Sequence, residues 1–174
     1  MNANLKKTVG SGLFLALCLV LPLFTGQIPE IGNMLLPMHL PVLLCGMLYG
    51  PLWGGAVGFI APILRWMIFG RPMIFPTGVA MAFELMTYGI IAGILISALP
   101  KKLPYTYISL VAAMLGGRII WALIRMVLTV FGGQAFTLTF FLAEGFLNAI
   151  PGIILQLVLI PPLTHLLRRV TTKQ

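Results

Sequence analysis

Acidic side chains are the scarcest feature of this sequence. The 174 residues include no aspartate and three glutamates, Glu30, Glu84 and Glu144, against eleven lysines and arginines. Charged residues make up 8% of the chain, whereas a soluble globular domain has roughly 25%. Hydrophobic residues make up 60%, and the mean hydropathy is +1.07. This composition predicts an integral membrane protein, in which basic loops on one side of the bilayer explain the positive charge better than nucleic-acid binding does.

Several residue sets that carry chemistry are also missing. Cys18 and Cys45 lie inside apolar runs without C-x-x-C spacing, so we expect small core residues and neither a disulfide nor a metal site. The Walker pattern G-x-x-x-x-G-K-[ST] is absent, so we expect no cofactor in this chain and no use of ATP by it alone. The acids and histidines are too few and too separated for an intramembrane catalytic set, although a Glu–His pair remains an alternative.

Proline, glycine and basic clusters divide the chain into six apolar segments, and a bilayer crossing needs about 20 residues. The predicted spans cover about 8–24, 37–49, 52–69, 78–99, 105–130 and 138–167 of one membrane domain, 1–174. No small-residue cleavage site follows the first segment, so we expect it to be retained. The predicted fold class is an all-α integral membrane protein with six transmembrane helices.

The basic residues outside these spans predict the orientation. Seven fall on the side of the N-terminus: Lys6, Lys7, Lys101, Lys102, Arg168, Arg169 and Lys173. One, Arg71, falls on the other side. Because lysine and arginine are enriched in cytoplasmic loops, both termini are predicted to be cytoplasmic.

Polar and ionisable side chains concentrate in the outer half of the predicted spans, and the inner half is expected to be apolar. Glu84 and Tyr88 are four residues apart and therefore share a helix face. Arg118 and Arg125 are two turns apart, with Trp121 between them. The other candidates for this outer layer are His39, Arg65, Arg71, Glu144 and Asn148.

The charged members of this layer predict a binding site. A charge at the bilayer centre costs about 2.5–3.5 kcal/mol, so such groups are expected to serve function or to form pairs. The excess of arginine over glutamate favours an outward-facing pocket for a small polar ligand with an anionic group, because guanidinium binds carboxylate or phosphate in a bidentate manner. The alternative is that Arg65, Arg118 and Arg125 pair with the glutamates and lock the helices together. Arg65 and Arg71 are also placed where arginine can extend to the outer interface.

Three blocks of the sequence carry a family resemblance: "PMHLPVLLCGMLYGPLWGGAVGFIAPIL", "FELMTYGIIAGIL" and "NAIPGIILQLVLIPPL". Together with six short helices, they resemble the substrate-binding S components of energy-coupling factor (ECF) vitamin transporters over essentially the whole chain. The resemblance implies a multi-pass subunit of a bacterial plasma membrane that binds its vitamin from outside with high affinity. It further implies partnership with a transmembrane coupling protein and two ATPases, which use the ATP.

The resemblance also implies a docking surface on the first helix. Family members use small residues four apart there to contact the coupling protein, and "GLFLA" places Gly12 and Ala16 at that spacing. Small residues at this spacing let two membrane helices approach closely.

The blocks are nearest to the pantothenate-type members, which makes pantothenate the expected substrate. Its carboxylate is expected to face Arg125, and its hydroxyl and amide groups to contact Asn148, His39 and Glu84. Another vitamin or a nucleobase-like precursor, stacked on Trp121 or Tyr88, is the alternative within the class. A structural membrane subunit without a ligand and a carrier that acts alone are the alternatives outside it.

Overall fold

The chain folds into a bundle of apolar helices, seen in a computed structural model that describes residues 3–24, 34–100, 102–131, 137, 143 and 147–172. The main helices are α1 (Ala3–Val20), α2 (His39–Tyr49), α3 (Pro51–Phe69), α4 (Val79–Ala98), α5 (Leu103–Phe131) and α6 (Ile150–Thr172). A short 3₁₀ turn, Leu21–Leu23, follows α1, and an irregular turn, Ile74–Gly78, leads into α4.

The length and apolarity of these helices fit a membrane. In the described ranges, five helical segments are long and apolar enough to cross a bilayer: Asn4–Leu23, Pro51–Phe69, Ile74–Ala98, Leu103–Thr129 and Ile150–Arg168. Helix α2 is apolar but has 11 residues, or about 16 Å, against a hydrocarbon core of about 30 Å. The predicted all-α membrane fold class is confirmed. The first part of the predicted sixth span, 138–142 and 144–146, lies outside the described residues.

The first and last helices reach the same end of the bundle. Gly10 of α1 faces the hydroxyl of Tyr49, the last residue of α2. Near the end of α6, Arg168 Nη2 donates a hydrogen bond of 2.8 Å to the carbonyl oxygen of Met47 in the same turn of α2. Helices α2 and α6 therefore run parallel to each other. Whether this end faces the cytoplasm, as the basic residues indicate, stays a prediction.

Three glycines bring α2, α3 and α4 together. A Cβ at Gly46 would meet the carbonyl of Gly89, a Cβ at Gly54 would meet the Cα of Gly46, and a Cβ at Gly89 would meet the carbonyl carbon of Gly54. The three backbones are thus in direct contact, which gains van der Waals packing that larger side chains would prevent. Gly58 and Gly93 extend the same close contact along α3 and α4.

Both cysteines lie in the core beside this crossing. Cys18 and Cys45 are fully buried and form no disulfide. The thiol of Cys45 lies 3.6 Å from the hydroxyl oxygen of Ser11. They are core residues, as the apolar context of each one predicts.

The expectation of an apolar inner half is wrong. At the end that holds both termini, Thr106 and Thr164 are buried, and Thr106 Oγ1 lies 3.4 Å from His165 Nε2. Thr164 Oγ1 donates to Met47 Sδ at 3.5 Å, and Arg168 bonds the Met47 carbonyl. The contact of Arg168 has a physical reason. The last carbonyls of α2 have no partner in their own helix and must be satisfied by other groups.

The glycine crossing generates a stability prediction. Gly89→Ala should lower the free energy of unfolding by about 1–3 kcal/mol or more, because the added methyl group meets the backbone of α3. Thermal unfolding of the detergent-solubilised protein measures the change. Gly12→Ala is the matched control, since a Cβ there has no atom within 4 Å. Equal unfolding temperatures for the two variants would contradict the proposed role of the crossing.

Candidate functional site

Four buried polar side chains meet inside the bundle: His39 of α2, Glu84 and Tyr88 of α4, and Arg118 of α5. Arg118 Nη1 lies 2.9 Å from Glu84 Oε1. The Tyr88 hydroxyl donates to the same oxygen at 3.2 Å, and His39 Nε2 lies 3.5 Å from it. Glu84 Oε1 is therefore the centre of this group, which we call the Glu84 cluster.

Local sequence explains how each member of the cluster is held. Tyr88 follows Glu84 by one turn, so both side chains project from the same face of α4. Gly117, the neighbour of Arg118, leaves the space that the Tyr88 ring occupies. His39 is the first residue of α2, and its ring packs edge-on against Tyr88 with 5.2 Å between centroids.

The cluster balances one negative charge against one positive charge. Glu84 and Arg118 are almost completely removed from solvent, and their attraction is strong in a medium of low dielectric constant. The sequence left open whether Arg118 serves a ligand or pairs with a glutamate, and the structure shows the pair. Removing two charges from water carries a large desolvation cost. Loss of either partner would leave the other charge buried without this compensation.

Arg125 forms a second contact across the same pair of helices. Its Nη1 donates a hydrogen bond of 2.9 Å to Thr77 Oγ1 in the turn before α4. Arg118 and Arg125 are seven residues apart, and so are Glu84 and Thr77 on the antiparallel chain. The two arginines therefore contact the α4 side at two levels, about 10 Å apart along the helix axis.

A cavity of about 230 Å³ adjoins the Glu84 cluster between α4, α5 and α6. Tyr88 and Arg118 form its polar part. Its other lining residues are apolar: Val111, Met114, Leu115, Ile153 and Leu157. A mostly apolar cavity with a few polar groups at one side is the usual form of a small-molecule site.

Arg65 contacts α1 and not the Glu84 cluster. It is buried, and its Nη1 donates to the carbonyl oxygen of Leu19 at 3.2 Å. Its guanidinium also lies over the Phe69 ring, 5.4 Å from the centroid. Instead of extending to the interface or joining the Glu84 cluster, Arg65 joins α3 to α1. Arg71, by contrast, is exposed in the turn after α3.

The remaining predicted site residues are distributed over the molecule. Trp121 is buried on α5, and Asn148 is exposed in the turn before α6, where its backbone N–H donates to the carbonyl of Ala143 at 2.9 Å. Glu144 lies outside the described residues. Gly12 and Ala16 are both exposed on α1.

Gln156 is a buried polar residue that the sequence interpretation missed. Its side chain is 1% exposed and lies in α6, in the middle of the apolar run "IILQLVLI". A lone carboxamide in such a run was the available signal. Thr77, the partner of Arg125, was missed because it lies outside the predicted spans.

Comparison with known families identifies the chain. The family described as ECF transporter, substrate-specific component, matches residues 6–164, which include parts of all six helices. Comparisons with curated proteins and with solved structures returned no match.

The buried pair generates a double-mutant prediction. Glu84→Gln should lower the free energy of unfolding by about 3–5 kcal/mol, because it leaves the Arg118 charge buried without its counter-charge. Arg118→Met should have a similar effect. The double variant should lose much less free energy of unfolding than the two single variants added together. Denaturant unfolding in detergent measures all three. Arg71→Met, at an exposed arginine, is the control, and additive losses would contradict direct pairing.

Proposed function

The chain belongs to the family of substrate-specific components of ECF transporters, and from this premise we propose that it binds a small water-soluble vitamin or vitamin precursor for uptake. It is a multi-pass membrane protein, and its family consists of transport subunits that bind substrate. The observation that carries the proposal is the Glu84 cluster beside the apolar cavity. Polar groups that a membrane protein buries at such cost mark a functional site.

The geometry supports separate contacts for the anionic group of the substrate and for its uncharged part. The charge of Arg118 is balanced by Glu84 within the protein. An anionic group of the substrate is assigned to Arg125, whose guanidinium also donates to Thr77 Oγ1 and suits bidentate binding of a carboxylate. The less polar part of the substrate is assigned to the cavity lined by α4, α5 and α6.

The size of the cavity supports a small vitamin. Ligand pockets commonly measure about 300–1,000 Å³, whereas this cavity measures about 230 Å³. Pantothenate is the proposed substrate, since it combines one carboxylate with amide and hydroxyl groups. A nucleobase-like precursor is the second candidate, because Tyr88 lines the cavity and offers an aromatic ring for stacking.

The first helix supports the proposed partners, a coupling protein and two ATPases that would supply the energy of ATP. Helix α1 is the least buried of the five candidate spans. Gly12 and Ala16 lie on its exposed surface, where a partner helix could approach closely. Leu5, Val9 and Leu13 are exposed there too and would add apolar contact area.

The substrate proposal predicts a ligand-induced rise in stability. Pantothenate at 100 times its dissociation constant should stabilise the purified protein by about 2.7 kcal/mol, because it binds the native state alone. A thermal-shift panel should include biotin, riboflavin, thiamine and folate beside pantothenate. The vitamin proposal fails if no compound of the panel shifts the unfolding temperature at millimolar concentration.

Arg125 tests the assignment of the anionic group. Arg125→Ala should weaken pantothenate binding by about tenfold or more while the protein stays folded, because a charge-assisted hydrogen bond contributes about 1.5–3 kcal/mol. Isothermal titration calorimetry measures the affinity. Lys102→Ala is the control, because it removes an equal charge from an exposed position at the other end of the bundle. Unchanged affinity in Arg125→Ala would assign the anionic group elsewhere.

The α1 surface can be tested apart from binding. Gly12→Leu combined with Ala16→Leu should leave pantothenate affinity unchanged but abolish ATP-driven uptake, because the bulkier side chains keep the coupling protein from the helix. Uptake into proteoliposomes and co-purification with the coupling protein measure the effect. Ala56→Leu on α3, at another exposed small residue, is the control. Full uptake by the double variant would disprove this docking surface.

A further inference from the structure

Gln156 holds a buried carboxamide without a hydrogen-bond partner among the residues that the structure describes. Its side chain is 1% exposed, and neither Oε1 nor Nε2 has a hydrogen-bond partner in the described part of the chain. A carboxamide offers two donors and an acceptor, and burying them unpaired is unfavourable. Leucine would fill a similar volume without this cost. The presence of glutamine here therefore calls for a functional reason.

The register of α2 against α6 places Gln156 beside a second such group. Gly152 packs against the carbonyl of Leu35, and Thr164 bonds the sulfur of Met47. These two pairs are 117 positions apart, 152 − 35 and 164 − 47, and Gly152 also packs against the carbonyl of Met34, so the two parallel segments lie side by side between these contacts. Eight residues back from Met47 along α2 is His39, and eight residues back from Thr164 along α6 is Gln156, so the contact of Thr164 with Met47 places Gln156 near the level of His39.

The side chain of Gln156 points to the α2 side of its helix. Gly152, Gln156, Ile160 and Thr164 follow one another at intervals of four residues, and all are buried. The first and last of them contact the chain of α2 and its preceding turn. Gln156 therefore lies on the same face, between those two contacts.

His39, like Gln156, has buried polar atoms without a hydrogen-bond partner among the described residues. It is 1% exposed, and neither ring nitrogen makes a hydrogen bond to a described residue. Its Nε2 lies 3.5 Å from Glu84 Oε1, close enough for attraction but without hydrogen-bond geometry. Two side chains that can each donate and accept hydrogen bonds thus stand at one level of the bundle.

Neighbours of both residues line the cavity. Ile153 and Leu157, which lie on either side of Gln156 in the sequence, line it, and so does Tyr88, whose ring packs against His39. The glutamine side chain has three rotatable bonds, and its carboxamide makes no hydrogen bond to the described ranges of the chain. It can turn towards a bound molecule without breaking one.

We propose that Gln156 and His39 bind an uncharged hydrogen-bonding group of the substrate, an amide or a hydroxyl, at the edge of the cavity. This inference rests on the proposed function and adds the residues that determine specificity. An amide or hydroxyl both donates and accepts, which complements a carboxamide and an imidazole. A site of this kind rejects analogues that lack the group, because its own polar atoms then stay unpaired.

The first test needs no ligand. Gln156→Leu should leave the unfolding temperature of the ligand-free protein unchanged or raise it, because replacing an unsatisfied buried amide by an apolar group removes a penalty. Thr164→Val on the same face is the matched control and should lower it, since Thr164 has a partner in Met47. A clear fall for Gln156→Leu would show a structural role and overturn the inference.

The second test is binding, with pantothenate as the probe in calorimetry. Gln156→Leu should weaken binding by about tenfold. His39→Phe, which keeps an aromatic ring against Tyr88, should have a similar effect, and Thr164→Val should have none. Wild-type affinity in both Gln156→Leu and His39→Phe would overturn the inference, whereas absence of binding to the wild-type protein would count against the proposed substrate instead. The stability test still decides the role of Gln156 in that case.

Discussion

Backbone contact between α2, α3 and α4 is the constraint on which the rest of the structure depends. The helices touch at Gly46, Gly54 and Gly89, where a single methyl group would separate them. In a membrane, helices gain little from hydrophobic burial against each other, so close packing must supply the attraction. The crossing fixes α2 against α4, and this brings His39 within reach of Glu84. The position of the polar cluster is therefore set by residues that have no side chains.

The Glu84 cluster stabilises its buried charges with groups of the protein itself, without a substrate. Glu84 accepts contacts from Arg118, Tyr88 and His39, so the carboxylate in the bundle interior is surrounded by groups that stabilise its charge. The neighbouring cavity is consequently bordered by a site of little net charge rather than by surplus guanidinium. A ligand there would encounter apolar walls and neutral hydrogen-bonding groups, while Arg125 lies about 10 Å farther from the end that holds both termini.

The sequence predicted those features that depend on local spacing. Apolar runs of sufficient length predicted the membrane helices, and the four-residue interval of Glu84 and Tyr88 predicted their common face. It could not identify Arg118 as the partner of Glu84, because that depends on how α4 and α5 pack. The contact of Arg65 could not be predicted for the same reason, since the carbonyl that it bonds belongs to α1. The proposed role of Gln156 could not be predicted either, because it depends on the register of α6 against α2, and these helices are distant in the sequence.

The short second helix determines how deep in the bundle the turn before it lies. Helices α2 and α3 meet at Gly50, but α2 reaches back 11 residues whereas α3 extends 19. The turn before His39 therefore lies about 12 Å deeper than the far end of α3. Non-helical backbone at such depth is tolerated where protein covers it or water reaches it, and not where it faces lipid tails. A hydrated recess above α2 would let a polar molecule approach the bundle interior directly from the aqueous phase, without first dissolving in the bilayer.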